Sequence, residues 1–119
     1  MGTDKKVLIV DDNIDAADLT ADYLRVFGAE VSVAYGGVEA LAAARASMPH
    51  VIFLDIGMPG MDGYQVARAL RADQAFHDVK IIALTAWGDQ ASRDMSQASG
   101  FDMHLTKPAN LSTLRELAS

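Results

Sequence analysis

Cysteine is absent from this 119-residue chain, so it can form neither a disulfide framework nor a thiolate metal site. Positive charge is also scarce, because 10 Lys and Arg stand against 16 Asp and Glu, and the formal net charge is -6. This balance argues against electrostatic binding to nucleic acid or to an anionic membrane surface. We therefore expect no direct nucleic-acid partner and no membrane partner.

Long apolar runs are missing as well. No stretch approaches the length of a membrane-spanning helix, and the first residues, MGTDKK, lack the apolar region of a signal peptide. A cytoplasmic location is therefore the default expectation. With 50% hydrophobic residues, the chain is long enough for one core and too short for two comfortable ones. We expect a single domain over residues 1–119.

Three short, continuously apolar runs are the main feature that the sequence does contain. They begin at Val7, Val51 and Ile81, and each ends in a polar residue. Such runs are typical of strands that are buried on both faces of a parallel sheet. Two further segments, beginning at Glu30 and Met103, alternate in polarity or are short, which favours strands at the sheet edges.

Segments with helical spacing fill the intervals between these strands. Helices are predicted over residues 14–27, 38–46, 64–71, 89–99 and 111–117, with a turn at Asp62-Gly63 before the third. In the first helix we expect an apolar side formed by Ala16, Leu19, Tyr23 and Phe27. Five alternating strands and helices predict an α/β fold: a flavodoxin-like, doubly wound, five-stranded parallel sheet of order 2-1-3-4-5 with helices on both faces.

Polar side chains follow four of the predicted strands at the points where the strands end. Asp11 and Asp12 follow the first strand, Asp55 the third, Thr85 the fourth and Lys107 the fifth. In the predicted order the chain reverses direction between the first and third strands, and open α/β sheets bind ligands at the carboxyl edge beside such a switch point. The sequence therefore predicts a functional site at this edge.

The chemistry of these residues indicates a metal and a phosphoryl group. Three crowded carboxylates repel one another unless a cation lies between them, and an oxygen-only ligand set favours Mg²⁺, with Mn²⁺ as the other hard ion. The charge of Lys107 and the hydroxyl of Thr85 suit the oxygens of a phosphoryl group. A carboxylate such as Asp55 can itself be the nucleophile.

Taken singly, each of these residues has an ordinary structural explanation. Asp11 and Asp12 could cap a helix and stabilise its dipole, Asp55 could be a loop acid, and Lys107 and Thr85 could be plain polar residues at strand ends. Their convergence on one edge favours the functional interpretation, because perturbed groups gathered in a cleft are seldom purely structural.

The chain resembles the receiver domains of two-component signalling, the CheY-like response regulators. The resemblance covers essentially the whole chain and rests on five matches in order: Asp11-Asp12, Asp55 with Met58-Pro59, Asp62-Gly63, Thr85-Ala86, and Lys107-Pro108. It implies that Asp55 accepts a phosphoryl group from the phosphohistidine of a histidine kinase or histidine phosphotransfer protein. It also implies a downstream target protein, which the sequence does not identify, and a signalling face on the fourth helix, fifth strand and fifth helix.

The resemblance assigns roles to the neighbouring residues too. Asp12, Asp55 and the backbone carbonyl of Gly57 would ligate Mg²⁺, with Asp11 acting mostly through water. Lys107 would pair with the acid and then with the phosphoryl group, and Thr85 would move to hydrogen-bond that group. Ala86, Trp87 and Pro108 are expected at the rim of the site.

Three positions depart from the usual family pattern. The switch residue three positions before the lysine is usually Tyr or Phe, and here it is His104, which predicts weaker or pH-sensitive inward packing. The two positions that face the attacking water are Gly57 and Trp87, and neither can accept a proton. We therefore expect slow loss of the phosphoryl group by hydrolysis.

Other functions remain open at this point. The chain could be a receiver module from a hybrid histidine kinase, which its segment 102–108 resembles slightly more, or a pseudo-receiver that is never phosphorylated. A phosphatase of the haloacid-dehalogenase type would need Asp-x-Asp after the first strand, and Asp11-Asp12-Asn13 does not fit that pattern. Flavin mononucleotide binding is disfavoured because the loop after the first strand lacks Ser, Thr and Gly. We expect the chain to catalyse only its own phosphoryl transfer and dephosphorylation.

Overall fold

The sheet of the computed structural model, which describes residues 5–86 and 90–118 (90–92 by their backbone only), has five parallel strands in the order β2-β1-β3-β4-β5. The strands are β1 (Lys6–Val10), β2 (Glu30–Ala34), β3 (Val51–Asp55), β4 (Lys80–Thr85) and β5 (Met103–Thr106). Every residue of β3 is buried, whereas β2 and β5 at the edges are partly exposed. The predicted flavodoxin-like order is confirmed.

Helices connect the strands on both faces of the sheet. In the described part of the chain they are α1 (Ile14–Val26), α2 (Gly37–Ser47), α3 (Gly63–Arg71), α4 (Gln90–Ala98) and α5 (Leu111–Ala118). One short 3₁₀ turn, Gln74–Phe76, lies outside the predicted elements. The side chain of Asp73 accepts the N–H of Ala75 and so caps this turn.

Alternate residues of each strand pack into two separate core clusters, as the two-residue period of a strand requires. Leu8 and Val10 of β1 belong to the cluster under α2 and α3, together with residues such as Ala40 and Leu70. Val7 and Ile9 belong to the cluster under α1 and α5. This division explains why the central strands need apolar residues at consecutive positions.

The predicted apolar side of α1 was largely wrong, although its Tyr23 is partly buried against the core cluster under α1 and α5. The buried residues are Ala17, Ala21 and Leu24, whereas Leu19 is 63% exposed and Phe27 is 46% exposed. Ala17 and Ala21, spaced four apart, allow the helix to approach the sheet closely, so Leu19 and Phe27 lie at its flanks. Phe27 packs instead against Tyr23, with 5.1 Å between ring centroids, and beneath the guanidinium of Arg115 at 4.3 Å.

Arg71 at the end of α3 ties this helix to the segments that lead into β4 and β5. Its guanidinium donates hydrogen bonds to the carbonyls of Phe76 at 3.0 Å, Val79 at 2.8 Å and Gly100 at 2.9 Å. It also forms a 2.7 Å ion pair with Asp102. The planar fork of an arginine suits this number of directed bonds.

None of the helices in the described ranges combines the length and the apolar character that crossing a lipid bilayer requires.

Candidate functional site

The carboxyl ends of the strands open into a cleft that contains most of the residues predicted from the sequence. Asp55 is the last residue of β3 and Thr85 is the last residue of β4, while Asp11 directly follows β1. The cleft is lined by Asp11, Asp12, Asn13, Asp55, Gly57, Thr85, Ala86 and Lys107. Parallel strands bring these distant residues together because their carboxyl ends share one edge of the sheet.

Lys107 bridges two of the carboxylates. Its Nζ lies 3.2 Å from Oδ2 of Asp11 and 3.1 Å from Oδ1 of Asp55. Both acids are 5% exposed, so the attraction acts across a partly desolvated space and is stronger than at an open surface. Burial by itself lowers the pKa of Lys107, but the hydrogen bonds and charges of Asp55 and Asp11 outweigh it and raise that pKa.

Asp55 carries the most perturbed carboxyl group of the cleft. Its pKa is raised from 3.8 to about 6, chiefly because burial penalises the charged form. The hydrogen bond and the charge of Lys107 oppose this rise, while the charge of Asp11 and a hydrogen bond with Asp12 add to it. The ionised form of Asp55 is therefore less stable in the cleft than that of an exposed acid.

The three acids form a ligand set suited to a hard divalent cation. One carboxylate oxygen from each of Asp11, Asp12 and Asp55 lies within 4.8 Å of the others. Asp12 is exposed and the other two are buried, so the set faces the cleft opening. Carboxylate oxygens with room for water fit the preferences of Mg²⁺, which usually takes one or two carboxylate ligands and keeps several waters. A cation here would stabilise the ionised form of Asp55.

Asn13 belongs to the cleft but was not among the predicted site residues. Its backbone N–H donates to Oδ1 of Asp11 at 2.9 Å, and its side-chain Oδ1 accepts the N–H of Ala16 at 3.1 Å as the cap of α1. Asn13 therefore orients the buried Asp11 carboxylate while it starts the helix. An asparagine directly before a helical pattern is a cap signal that the sequence does display.

Asp62 and Gly63, expected as a turn, begin helix α3. Asp62 and Gln65 form a reciprocal capping box, with the Asp62 N–H 2.9 Å from Oε1 of Gln65 and the Gln65 N–H 3.0 Å from Oδ1 of Asp62. A Cβ added to Gly63 would lie 2.6 Å from the carbonyl oxygen of Asp55. The absence of a side chain at Gly63 lets α3 pack directly behind Asp55.

Gly57 and Thr85 also line the cleft beside Asp55. The N–H of Gly57 donates to Oδ1 of Asp55 at 3.2 Å. Thr85 is 1% exposed, and its backbone carbonyl accepts the N–H of Lys107 at 2.7 Å. This bond fixes the start of the Lys107 segment against β4. Ala86 is exposed on the lining of the cleft.

The remaining predicted residues lie outside the cleft or outside the described residues. Pro108, which follows a cis peptide bond, lines an apolar groove between α1 and α5 beside the cleft, and it does not line the cleft itself. His104 is half-buried on β5, with Nδ1 3.2 Å from Oγ of Ser96 on α4. Trp87 falls outside the described residues.

Comparison with known proteins identifies relatives that match nearly the whole of this chain. A family model described as "Response regulator receiver domain" matches residues 7–119. A "Probable transcriptional regulator ycf27" of Guillardia theta is 42% identical over 106 residues, which cover 89% of this chain and 41% of that protein. The chain spans less than half the length of the curated relatives it matches.

Solved structures agree with this family match. The chemotaxis protein CheY4 of Vibrio cholerae has a TM-score of 0.91 and 33% identity, covering 97% of this chain and 96% of that one. The signal receiver domain of a signal transduction histidine kinase from Syntrophus aciditrophicus has a TM-score of 0.86 and 28% identity, covering 96% and 86%.

Proposed function

Because this chain belongs to the response regulator receiver family, we propose that its Asp55 accepts a phosphoryl group from a phosphohistidine in a two-component phosphorelay. The donor would be a histidine kinase or a histidine phosphotransfer protein. The observation that carries this proposal is the position of the Asp55 carboxylate, 3.1 Å from Lys107 and grouped with two further acids in an open cleft. Phosphoryl acceptance is general for the family.

The chemistry follows from the placement of Asp55. A carboxylate oxygen of Asp55 attacks the phosphorus, the P–N bond to the imidazole breaks, and its electron pair remains on the imidazole nitrogen, which takes up a proton. Lys107 stands beside the attacking carboxylate and neutralises charge on the phosphoryl oxygens as they arrive.

Mg²⁺ fits the acidic side of the cleft. Asp12, Asp55 and the carbonyl of Gly57 would hold it, with Asp11 contributing through water. When bound, the ion supplies positive charge to the phosphoryl oxygens and relieves the repulsion among the acids. Asp11 keeps its bond to Lys107, so the ammonium group stays next to the phosphoryl position.

The response to phosphorylation is proposed to pass through Thr85 and His104 to α4, β5 and α5. The hydroxyl of Thr85 would hydrogen-bond the phosphoryl group, and the change would reach the partner-binding face through β4 and β5. His104 takes the place of the usual aromatic residue, and its contact with Ser96 links β5 to α4. The downstream partner is proposed to be a protein, since the net charge of -6 disfavours direct nucleic-acid binding.

Slow dephosphorylation remains our expectation, because Gly57 offers no side chain that could orient an attacking water. We propose that the chain does not turn over external substrates. A cytoplasmic location remains a prediction.

Treatment with acetyl phosphate and MgCl₂, followed by intact-mass spectrometry, tests the proposal. Wild type should gain the mass of one phosphoryl group, and Asp55→Asn should gain none. Asp78→Asn removes an exposed acid outside the cleft and should behave as wild type. A wild-type chain that stays unmodified would indicate a pseudo-receiver. Turnover of a generic phosphate monoester would indicate a phosphatase instead.

A receiver module of a hybrid histidine kinase is the second candidate. It rests on the segment 102–108, which resembles the receivers of hybrid kinases, and the receiver domain of a histidine kinase is among the similar solved structures, with a TM-score of 0.86. Phosphotransfer from purified kinases with and without their own receiver distinguishes the two settings. Faster transfer from a hybrid kinase would favour this second candidate.

A further inference from the structure

Helix α2 lies against the loop that follows Asp55, and one glycine makes this contact possible. The loop, residues 56–62, carries Gly57 beside the cleft and Met61 near its end, where Met61 packs against the core cluster under α2 and α3. A Cβ built on Gly37 would lie 2.6 Å from the carbonyl oxygen of Met61 and 2.8 Å from its Cβ. Gly37 is the first residue of α2 and is buried.

These distances leave no space for a methyl group. In protein structures, a Cβ atom essentially never lies closer than 3.0 Å to a heavy atom of another residue. The nearest neighbour of Gly37 is a backbone oxygen, which cannot rotate away as the end of a flexible side chain can. A side chain at position 37 therefore requires the helix or the loop to shift.

The loop can yield only in its exposed part. Ile56 and Met58 are 5% and 6% exposed within the core, and the N–H of Gly63 bonds the carbonyl of Ile56 at 3.1 Å. Gly57 and Gly60 are exposed, and a Cβ at either would meet no atom within 4 Å. Met61 and Gly57 belong to the same short loop, so a displacement of the Met61 backbone alters the path by which the loop reaches Gly57 at the wall of the cleft.

We propose that Gly37 is a positioning residue for the phosphoacceptor site. It allows α2 to lie directly on the Met61 backbone, and this contact fixes the loop so that Gly57 faces the cleft and its N–H reaches Asp55 at 3.2 Å. Gly37 does not line the cleft and acts only through Met61. The inference rests on the proposed function, because the ligand it helps to place is the proposed carbonyl of Gly57.

The neighbouring glycine provides a matched control. The three atoms nearest to a Cβ at Gly36 all belong to the carboxylate of Glu39, the closest at 2.8 Å, and this flexible end can move aside. The φ of Gly36 is -165°, an extended conformation that any residue adopts. Gly36→Ala therefore makes the same chemical change one position earlier, without a backbone clash. Alanine has a higher helix propensity than glycine, so propensity alone would favour Gly37→Ala. A loss of function in this variant could therefore not be explained by a weaker helix.

Two measurements on the purified chain test the inference. Calorimetric titration with MgCl₂ should show affinity about tenfold weaker for Gly37→Ala and unchanged for Gly36→Ala, a size typical of residues that position metal ligands. In ¹H–¹⁵N spectra without metal, the amide signals of Gly57 and Met61 should move in Gly37→Ala and stay in place in Gly36→Ala. Wild-type affinity and wild-type signals in Gly37→Ala would overturn the inference, as would equal effects of both variants.

If Gly37→Ala does not fold, a third variant tests whether the contact between α2 and the loop positions Gly57. Met61→Ala keeps the backbone oxygen and the Cβ that face Gly37 but removes the side chain that packs against the core cluster under α2 and α3, so it loosens the loop at the same residue. It should move the Gly57 amide signal and weaken Mg²⁺ binding, and wild-type values would contradict the inference. If wild type binds no Mg²⁺, the proposed function fails, and the amide signals alone then support or overturn the positional role of Gly37.

Discussion

Replacing Asp55 with asparagine should stabilise the folded chain at neutral pH while it removes the proposed phosphoacceptor. The pKa of Asp55 is raised from 3.8 to about 6, which means that ionising this buried group costs more in the folded chain than in the unfolded one. Asparagine has nearly the same shape and no charge. The substitution therefore removes the cost and keeps the acceptor oxygen for the N–H of Gly57.

The size of the effect follows from the pKa. A rise of about two units corresponds to about 3 kcal/mol, since each unit is worth about 1.36 kcal/mol. This figure is a ceiling, because the cleft is open to water and because the asparagine NH₂ group is a donor next to the ammonium of Lys107. We expect a gain of about 1–2 kcal/mol at pH 7, or about 4 °C in Tm per kcal/mol for a domain of this size.

The pH dependence of unfolding separately tests the direction of the stability change caused by Asp55→Asn. Because the folded pKa lies above the unfolded one, wild type becomes more stable as pH falls through about 6, when Asp55 takes up its proton in the folded state. The advantage of the asparagine variant should therefore shrink by about 1 kcal/mol between pH 7 and pH 5. Urea unfolding in EDTA measures both values, with Asp78→Asn as the control for net charge. A variant that is less stable than wild type at pH 7 would show that ionised Asp55 stabilises the folded chain, contrary to this prediction.

Three further predictions concern the charges around the cleft and the support of the fold. Lys107→Met leaves Asp11 and Asp55 without their shared cation and should cost about 1–2 kcal/mol in urea unfolding at pH 7, with a smaller loss at pH 5. Arg71→Lys cannot replace the fork of hydrogen bonds and should cost about 2 kcal/mol by the same assay, while Arg45→Lys on the exposed face of α2 should be neutral. MgCl₂ at about ten times its Kd should stabilise wild type by about 1.4 kcal/mol and leave the unfolding curve of Asp12→Asn nearly unchanged; equal stabilisation of both would argue against a site at this acid.

The order of the sheet could be predicted because burial on two faces leaves a visible pattern. β1, β3 and β4 are apolar at consecutive positions, since alternate residues enter different core clusters, and the edge strands are not. The gathering of Asp11, Asp55 and Lys107 was predictable for a related reason. Parallel strands end at a common edge, so a polar residue after each strand must arrive there.

Other features depend on the packing of elements that are distant in sequence. The pair Gly36-Gly37 indicates a break before α2, but only the position of Met61 beneath it shows why the second glycine is needed. The burial of Ala17 in place of Leu19 is decided by how closely α1 approaches the sheet, which periodicity does not reveal. Pro108 faces the α1–α5 groove because of the direction the chain takes after Lys107.

The most direct test of the account is to locate the phosphoryl group on the chain. Borohydride reduction after treatment with acetyl phosphate and MgCl₂ converts an aspartyl phosphate to homoserine, and peptide mass spectrometry then identifies the residue. If Asp55 is the metal-dependent phosphoacceptor, homoserine should form at position 55 alone, and none should form when EDTA replaces MgCl₂. Homoserine at Asp11 or Asp12 in place of Asp55, or modification that is independent of the metal, would contradict this assignment.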